Sequence, residues 1–129
     1  MLFVASVASA PALADGGYFS REQAERGKTL YQQHCSECHS KALEGRNAVP
    51  LSGTPFTSRW ADVGATVDDL WYLVRSQMPY GAPGTLPALQ SLDIVAFILS
   101  ENGYPEGSAE LPPEAGVLFA KSLARRPPP

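Results

Sequence analysis

Three stretches of the chain repeat apolar or small residues at helical spacing, and polar stretches punctuated by Gly and Pro separate them. The first follows Phe19 and runs from Arg21 to about His34, with Ala24, Gly27, Leu30 and Tyr31 three and four residues apart. Ser20 stands at its N-cap and Gln23 in the capping-box position. The second opens with Thr66 as N-cap, carries Asp68 and Asp69 in its first turn, and buries Leu70, Trp71, Leu73 and Val74. It stops near Gln77, because Pro79 disfavours helix at Met78. The third runs from about Pro87 to Asn102, its apolar set being Leu89, Leu92, Val95, Ala96, Ile98 and Leu99 with Phe97 beside them. Gly103 is its C′ residue and Pro105 prevents continuation.

Residues 40–65 show no sustained period and read as a long loop, and a loop of that length in a small domain is usually functional. Met78 to Gly84 is a second, proline-stiffened loop. Beyond Glu106, the stretch from Leu111 to Leu123 admits one short helix containing Val117, Leu118 and Phe119. The last five residues, 125–129, are expected to be disordered. No stretch alternates convincingly enough for a strand. The expectation is an all-α domain over residues 15–105, followed by an extension over 106–129.

Residues 1–14 change the picture. They carry no charge, are almost all small or apolar, and end in Ala12-Leu13-Ala14, a small-x-small site that reads as a signal-peptidase cut before Asp15. This is the pattern of a signal-peptide remnant whose basic n-region would lie upstream of Met1, and it implies export to the periplasm. The stretch is too short to span a bilayer, and no other stretch is long enough. The net charge of −3 and the scattering of the ten Lys and Arg residues give no nucleic-acid footprint.

An exported chain usually spends two cysteines on a disulfide. Cys35 and Cys38 are three apart, and a bridge between them would close a loop too small to stabilise much. Cys35-Ser36-Glu37-Cys38-His39 is instead Cys-x-x-Cys-His, the signature of c-type haem attachment. Two thiols at this spacing reach the two vinyl groups of one porphyrin edge, and the His that follows lies beneath the iron. A thioredoxin-like pair needs a strand–helix setting, which the pattern lacks. Zinc needs four ligands in a tetrahedron, and His34, Cys35, Cys38 and His39 are too crowded to surround one ion.

A haem iron has a second axial position. Met78 lies 39 residues after His39, at a helix end in a stiffened loop, and is the candidate thioether ligand. The plainer alternative is that it fills a core gap. Met/His ligation raises the reduction potential and fills both axial sites, which favours electron transfer over oxygen chemistry.

On Gly27 to Tyr31, Cys35 to His39, Val49-Pro50-Leu51, Met78-Pro79 and the Asp93–Leu99 helix, residues 19–105 resemble the class I c-type cytochromes. The resemblance implies a small cytochrome c fold, three to four main helices around one covalently bound haem c with long connecting loops. It also implies that Gly27 and Tyr31 meet the helix around Ile94, Phe97 and Ile98 at a close crossing. Pro50 matches a proline whose carbonyl accepts a hydrogen bond from the ligating His. Trp60 matches a donor to a haem propionate, though a plain core tryptophan is an equal reading. Arg59 and Arg75 are either propionate partners or solvated, and solvation is favoured.

Met78 to Gly84 and the Asp93–Pro105 helix end resemble bacterial cytochromes associated with quinoprotein alcohol dehydrogenases. Three functions follow. The first is a periplasmic one-electron carrier, not an enzyme, passing electrons between redox proteins such as a quinoprotein dehydrogenase and a terminal oxidase. The second is a cytochrome subunit of such a dehydrogenase, with Leu111, Val117, Leu118 and Phe119 covering the partner rather than the chain's own core; self-packing is the favoured reading. The third is an open-site haem enzyme or gas sensor, in which Met78 stays unbound.

Overall fold

The computed structural model describes residues 16–124. Its helices are α1 (Arg21–His34), α2 (Ser36–His39), α3 (Gly53–Phe56), α4 (Val67–Gln77), α5 (Ala88–Glu101) and α6 (Ala115–Phe119), with a π-helical turn at Thr57–Ala61 after α3. Strand-like pairing among the described residues is limited to two isolated bridges, Phe19 with Glu106 and Thr66 with Ser122. Among the described residues no helix is long and apolar enough to cross a membrane. The expected leader remnant at 1–14 and the expected disorder at 125–129 lie outside the described residues.

Helix α1 begins as its sequence dictates: the Ser20 side chain accepts from the Gln23 backbone N–H at 3.1 Å. Gln23 does not complete a capping box. Its buried amide exchanges two hydrogen bonds with the main chain of Leu111, donating to the carbonyl at 3.2 Å and accepting from the N–H at 2.8 Å. Helix α4 has the full reciprocal box between Thr66 and Asp69 and stops at Gln77, with Met78 extended as its C-cap. Helix α5 is buried on every side from Ser91 to Leu99, as a central helix must be. Leu89, expected on its buried face, sits in its exposed first turn at 62% exposure.

The centre of the fold is the crossing of α1 and α5. A Cβ on Gly27 would lie 1.7 Å from the Asp93 carbonyl oxygen and 3.0 Å from the Phe97 Cβ, so only glycine lets the two backbones approach. One turn on, the Tyr31 and Phe97 rings meet at 5.2 Å. The crossing is therefore made by the expected helices, with its tightest point at Asp93 rather than at Ile94. Asp93 is held there by Arg26 at 3.1 Å.

The expected loop over 40–65 is not uniform. Its second half winds into α3 and the π-helical turn, which carry Phe56 and Trp60 into the core at 1% and 8% exposure. Phe56 touches both Trp60 and Tyr104, each at 6.5 Å.

The extension packs on its own domain as a strap. It leaves α5 beside the N-terminal segment, where Gly107 donates to the Phe19 carbonyl at 2.7 Å and crosses Gly17 so closely that a Cβ there would lie 2.3 Å from the Gly107 Cα. Glu110 then pairs with Arg26 at 2.6 Å and accepts from Ser20 at 3.1 Å. Leu111, Leu118 and Leu123 are buried in the common core. The strap ends on the entry to α4, where Val67 donates to the Lys121 carbonyl at 2.9 Å and Leu123 donates to the Ala65 carbonyl at 2.8 Å.

Candidate functional site

Cys35 closes α1 and opens α2. Its N–H bonds the Tyr31 carbonyl, and its own carbonyl accepts from the N–H groups of Cys38 and His39 at 3.2 and 3.0 Å. The motif is thus one tight helical turn, and residues three apart on a turn share a side. Both cysteines are free thiols and half-buried. Burial pushes the Cys35 thiol up to about 11. It therefore stays protonated at neutral pH.

After His39 the chain reverses sharply. Ser40 and Leu43 take φ values of 72° and 62°, a left-handed region that non-glycine residues enter only when their surroundings hold them. The holding bonds are visible. The Ser40 carbonyl accepts from the Tyr31 hydroxyl at 2.6 Å and its side chain donates to the Gly45 carbonyl at 3.0 Å. Gly45 donates back to the His39 carbonyl at 2.9 Å, while Asn47 and Ala48 both donate to the Cys38 carbonyl at 3.1 Å. Residues 40–48 thus curl back onto the motif and bring Val49 to the His39 ring.

There His39 Nδ1 lies 2.7 Å from the Val49 carbonyl oxygen. A carbonyl only accepts, so Nδ1 carries the proton and Nε2 keeps its lone pair. The partner is Val49, not Pro50 as the resemblance implied. Pro50 acts one residue upstream of its own carbonyl: a proline keeps the preceding residue out of the helical region, which fixes where the Val49 carbonyl points.

The other expected site residues fall into two groups. Met78 caps α4, half-buried, and its carbonyl accepts from Gly84 at 3.2 Å, which folds residues 78–84 into a closed loop. Trp60 is in the core, with Arg59 over its ring at 5.2 Å. The contrast with Trp71 is informative, since Trp71 donates its indole N–H to Ser91 at 2.8 Å, whereas the Trp60 indole has no such partner among the described residues. Arg75 departs from the solvated reading. Its guanidinium stacks on Trp71 and Tyr72 at 4.6 and 5.0 Å, and its Nε is buried without a hydrogen-bond partner.

These residues fit a covalently held haem. Two free thiols share one turn, an imidazole presents a basic nitrogen, and large apolar side chains beside the expected ligands lack cover, Val49 at 58% and Tyr80 at 90% exposure. Among the described residues no three His, Cys, Asp or Glu side chains gather around a common point that would hold a bare metal ion. Sequence reasoning missed the Val49 carbonyl, the strained Ser40 and Leu43, and the stacking of Arg75 with its Nε buried. The Val49-Pro50 dipeptide was the one available signal for the first.

Residues 22–98 match the family model described as cytochrome C oxidase, cbb3-type, subunit III. No curated protein and no solved structure matches the chain.

Proposed function

The chain belongs to this cytochrome c family, whose members carry covalently bound haem c for electron transfer, and on that premise we propose that it is a periplasmic carrier whose iron is ligated by His39 and Met78. The observation that carries the proposal is the His39 ring, 6% exposed and oriented through Nδ1 so that Nε2 is free to ligate.

Bound haem c supplies a one-electron ferric–ferrous couple. The chain supplies the rest. Cys35 and Cys38 would hold the group by thioether bonds, from a turn that continues directly out of α1. The Val49 carbonyl locks the His39 tautomer and makes Nε2 more basic. Met78 would supply a thioether from the end of α4 as the second protein ligand. The Trp60 indole N–H and the Arg59 and Arg75 guanidinium groups would be the candidate donors to a propionate. Leu111 and Leu118 pack on the chain's own core, which favours a single-chain carrier, while Val117 and Phe119, at 39% and 67% exposure, are the strap residues that a dehydrogenase subunit would use. A quinoprotein dehydrogenase as donor and a terminal oxidase as acceptor follow from the resemblance.

The ferric optical spectrum tests this. An iron–sulfur band near its red end, with little carbon monoxide binding in the ferrous protein, is expected. Absence of the band together with ready carbon monoxide binding would instead support an open-site enzyme or sensor. Cell fractionation tests the compartment, with the periplasmic fraction and a mature N-terminus at Asp15 as the expected result.

A further inference from the structure

Helix α4 carries Met78 at its C-terminal end, and it is held in an unusual way. It packs on α5 and on α6, the short helix of the strap. Its midpoint is tied to α5 by the hydrogen bond from Trp71 to Ser91 at 2.8 Å. Its start is tied to the strap by two main-chain hydrogen bonds, Val67 to Lys121 at 2.9 Å and Leu123 to Ala65 at 2.8 Å. Leu118 and Leu123 of the strap are fully buried, in the same core as Val67 and Leu70 of α4. Tyr104 fixes the far end of the strap, donating to the Leu123 carbonyl at 2.6 Å. All these strap residues lie beyond residues 22–98, the segment that matches the family.

We propose that the C-terminal strap is the positioning element for the Met78 ligand. The inference rests on Met78 being a ligand, as read above. The argument is one of leverage. Met78 is seven residues past Trp71, so it lies about 10 Å along the helix from that tie. If the strap end came free, a tilt of roughly 10° about the Trp71–Ser91 contact would move Met78 by about 2 Å over that length. Metal–ligand bonds tolerate only about 0.2 Å. The strap removes that freedom by clamping the opposite end of the helix.

Imidazole titration of the haem-loaded full chain tests the lever, because imidazole competes with the thioether for ferric iron and its binding is read from loss of the iron–sulfur band. Leu118→Ala and Leu123→Ala are expected to lower the half-saturating imidazole concentration at least threefold. Tyr104→Phe, which removes one hydrogen bond and keeps the packing, should lower it in the same direction, and it is the deciding variant if the leucine variants do not load haem. Glu110→Gln loosens the strap only where it meets α1, far from α4 in sequence, and should leave the half-saturation unchanged. Unchanged imidazole affinity in the Tyr104 and leucine variants overturns the proposal. So does an equal shift in Glu110→Gln, which would mean general loosening. A wild-type protein without the band overturns the Met78 reading itself, and the lever with it.

Discussion

Where α1 crosses α5, backbone lies on backbone and the buried Asp93 carboxylate is held by Arg26. Around His39 and Met78 the chain does the reverse: it leaves Val49 and Tyr80 uncovered and the Arg75 Nε without a partner. The first region is complete with protein atoms alone. The second is completed by a cofactor. The difference teaches where a substitution acts through folding and where it acts through ligation, and the two kinds of damage should separate in experiments.

The largest effect should come from removing both tethers. Cys35→Ala combined with Cys38→Ala is expected to abolish covalent attachment, read as loss of all haem from the denatured polypeptide. Next is Gly27→Ala. Its new methyl would lie 1.7 Å from the Asp93 carbonyl oxygen, too close for side-chain relaxation, and forcing the helices apart should cost about 3 kcal/mol in denaturant unfolding. If that variant keeps wild-type stability, the crossing is not the completed region it is described as. Met78→Ala sharpens the other side. Haem should stay attached while the iron–sulfur band disappears, ferrous carbon monoxide binding appears and the reduction potential falls.

A smaller effect concerns pH. Hydrogen bonding to Arg26 holds the Glu110 carboxyl below its ordinary range, and Ser20 adds to this. A depressed carboxylate stabilises the fold above the unfolded value of about 4.3, and that contribution is lost as pH falls through the folded value. The pair is half exposed, so the contribution is under about 1 kcal/mol. Glu110→Gln should flatten the acid limb of the stability–pH curve and leave its neutral part lower by that amount. The smallest change is expected for Pro50→Ala. It should cost about 0.4–1 kcal/mol, because the unfolded chain regains backbone freedom at residue 50 and at Val49 that the hydrogen-bonded folded loop does not use.

Legibility in the sequence followed the range of the interaction. Cys35, Cys38 and His39 were readable because their chemistry needs neighbours within five residues. Helix α4 was readable because Thr66 and Asp69 cap it locally. Gly27 was readable through the cost a glycine carries inside a helix. Gln23 misled because its true partner, Leu111, is 88 residues away, and such a bond leaves no local trace. Leu89 misled because helical period says which residues share a face and not where burial begins along the helix. Helix α3 escaped because Gly53 and Pro55 punctuate it like a loop. The turn at Ser40 and Leu43 was invisible because no glycine marks its positive φ values.

The strap has one more consequence. Lys121 reaches the Gly17 carbonyl at 3.4 Å, and Tyr18 reaches the Ser122 carbonyl at 2.6 Å, so the two ends of the described chain sit side by side. Any tether, lipid anchor or neighbouring domain joined at either end would leave from the same corner of the molecule. A short linker between those ends would also yield a circular permutant, opened for instance at the exposed Ala82–Pro83 turn, with the strap still seated.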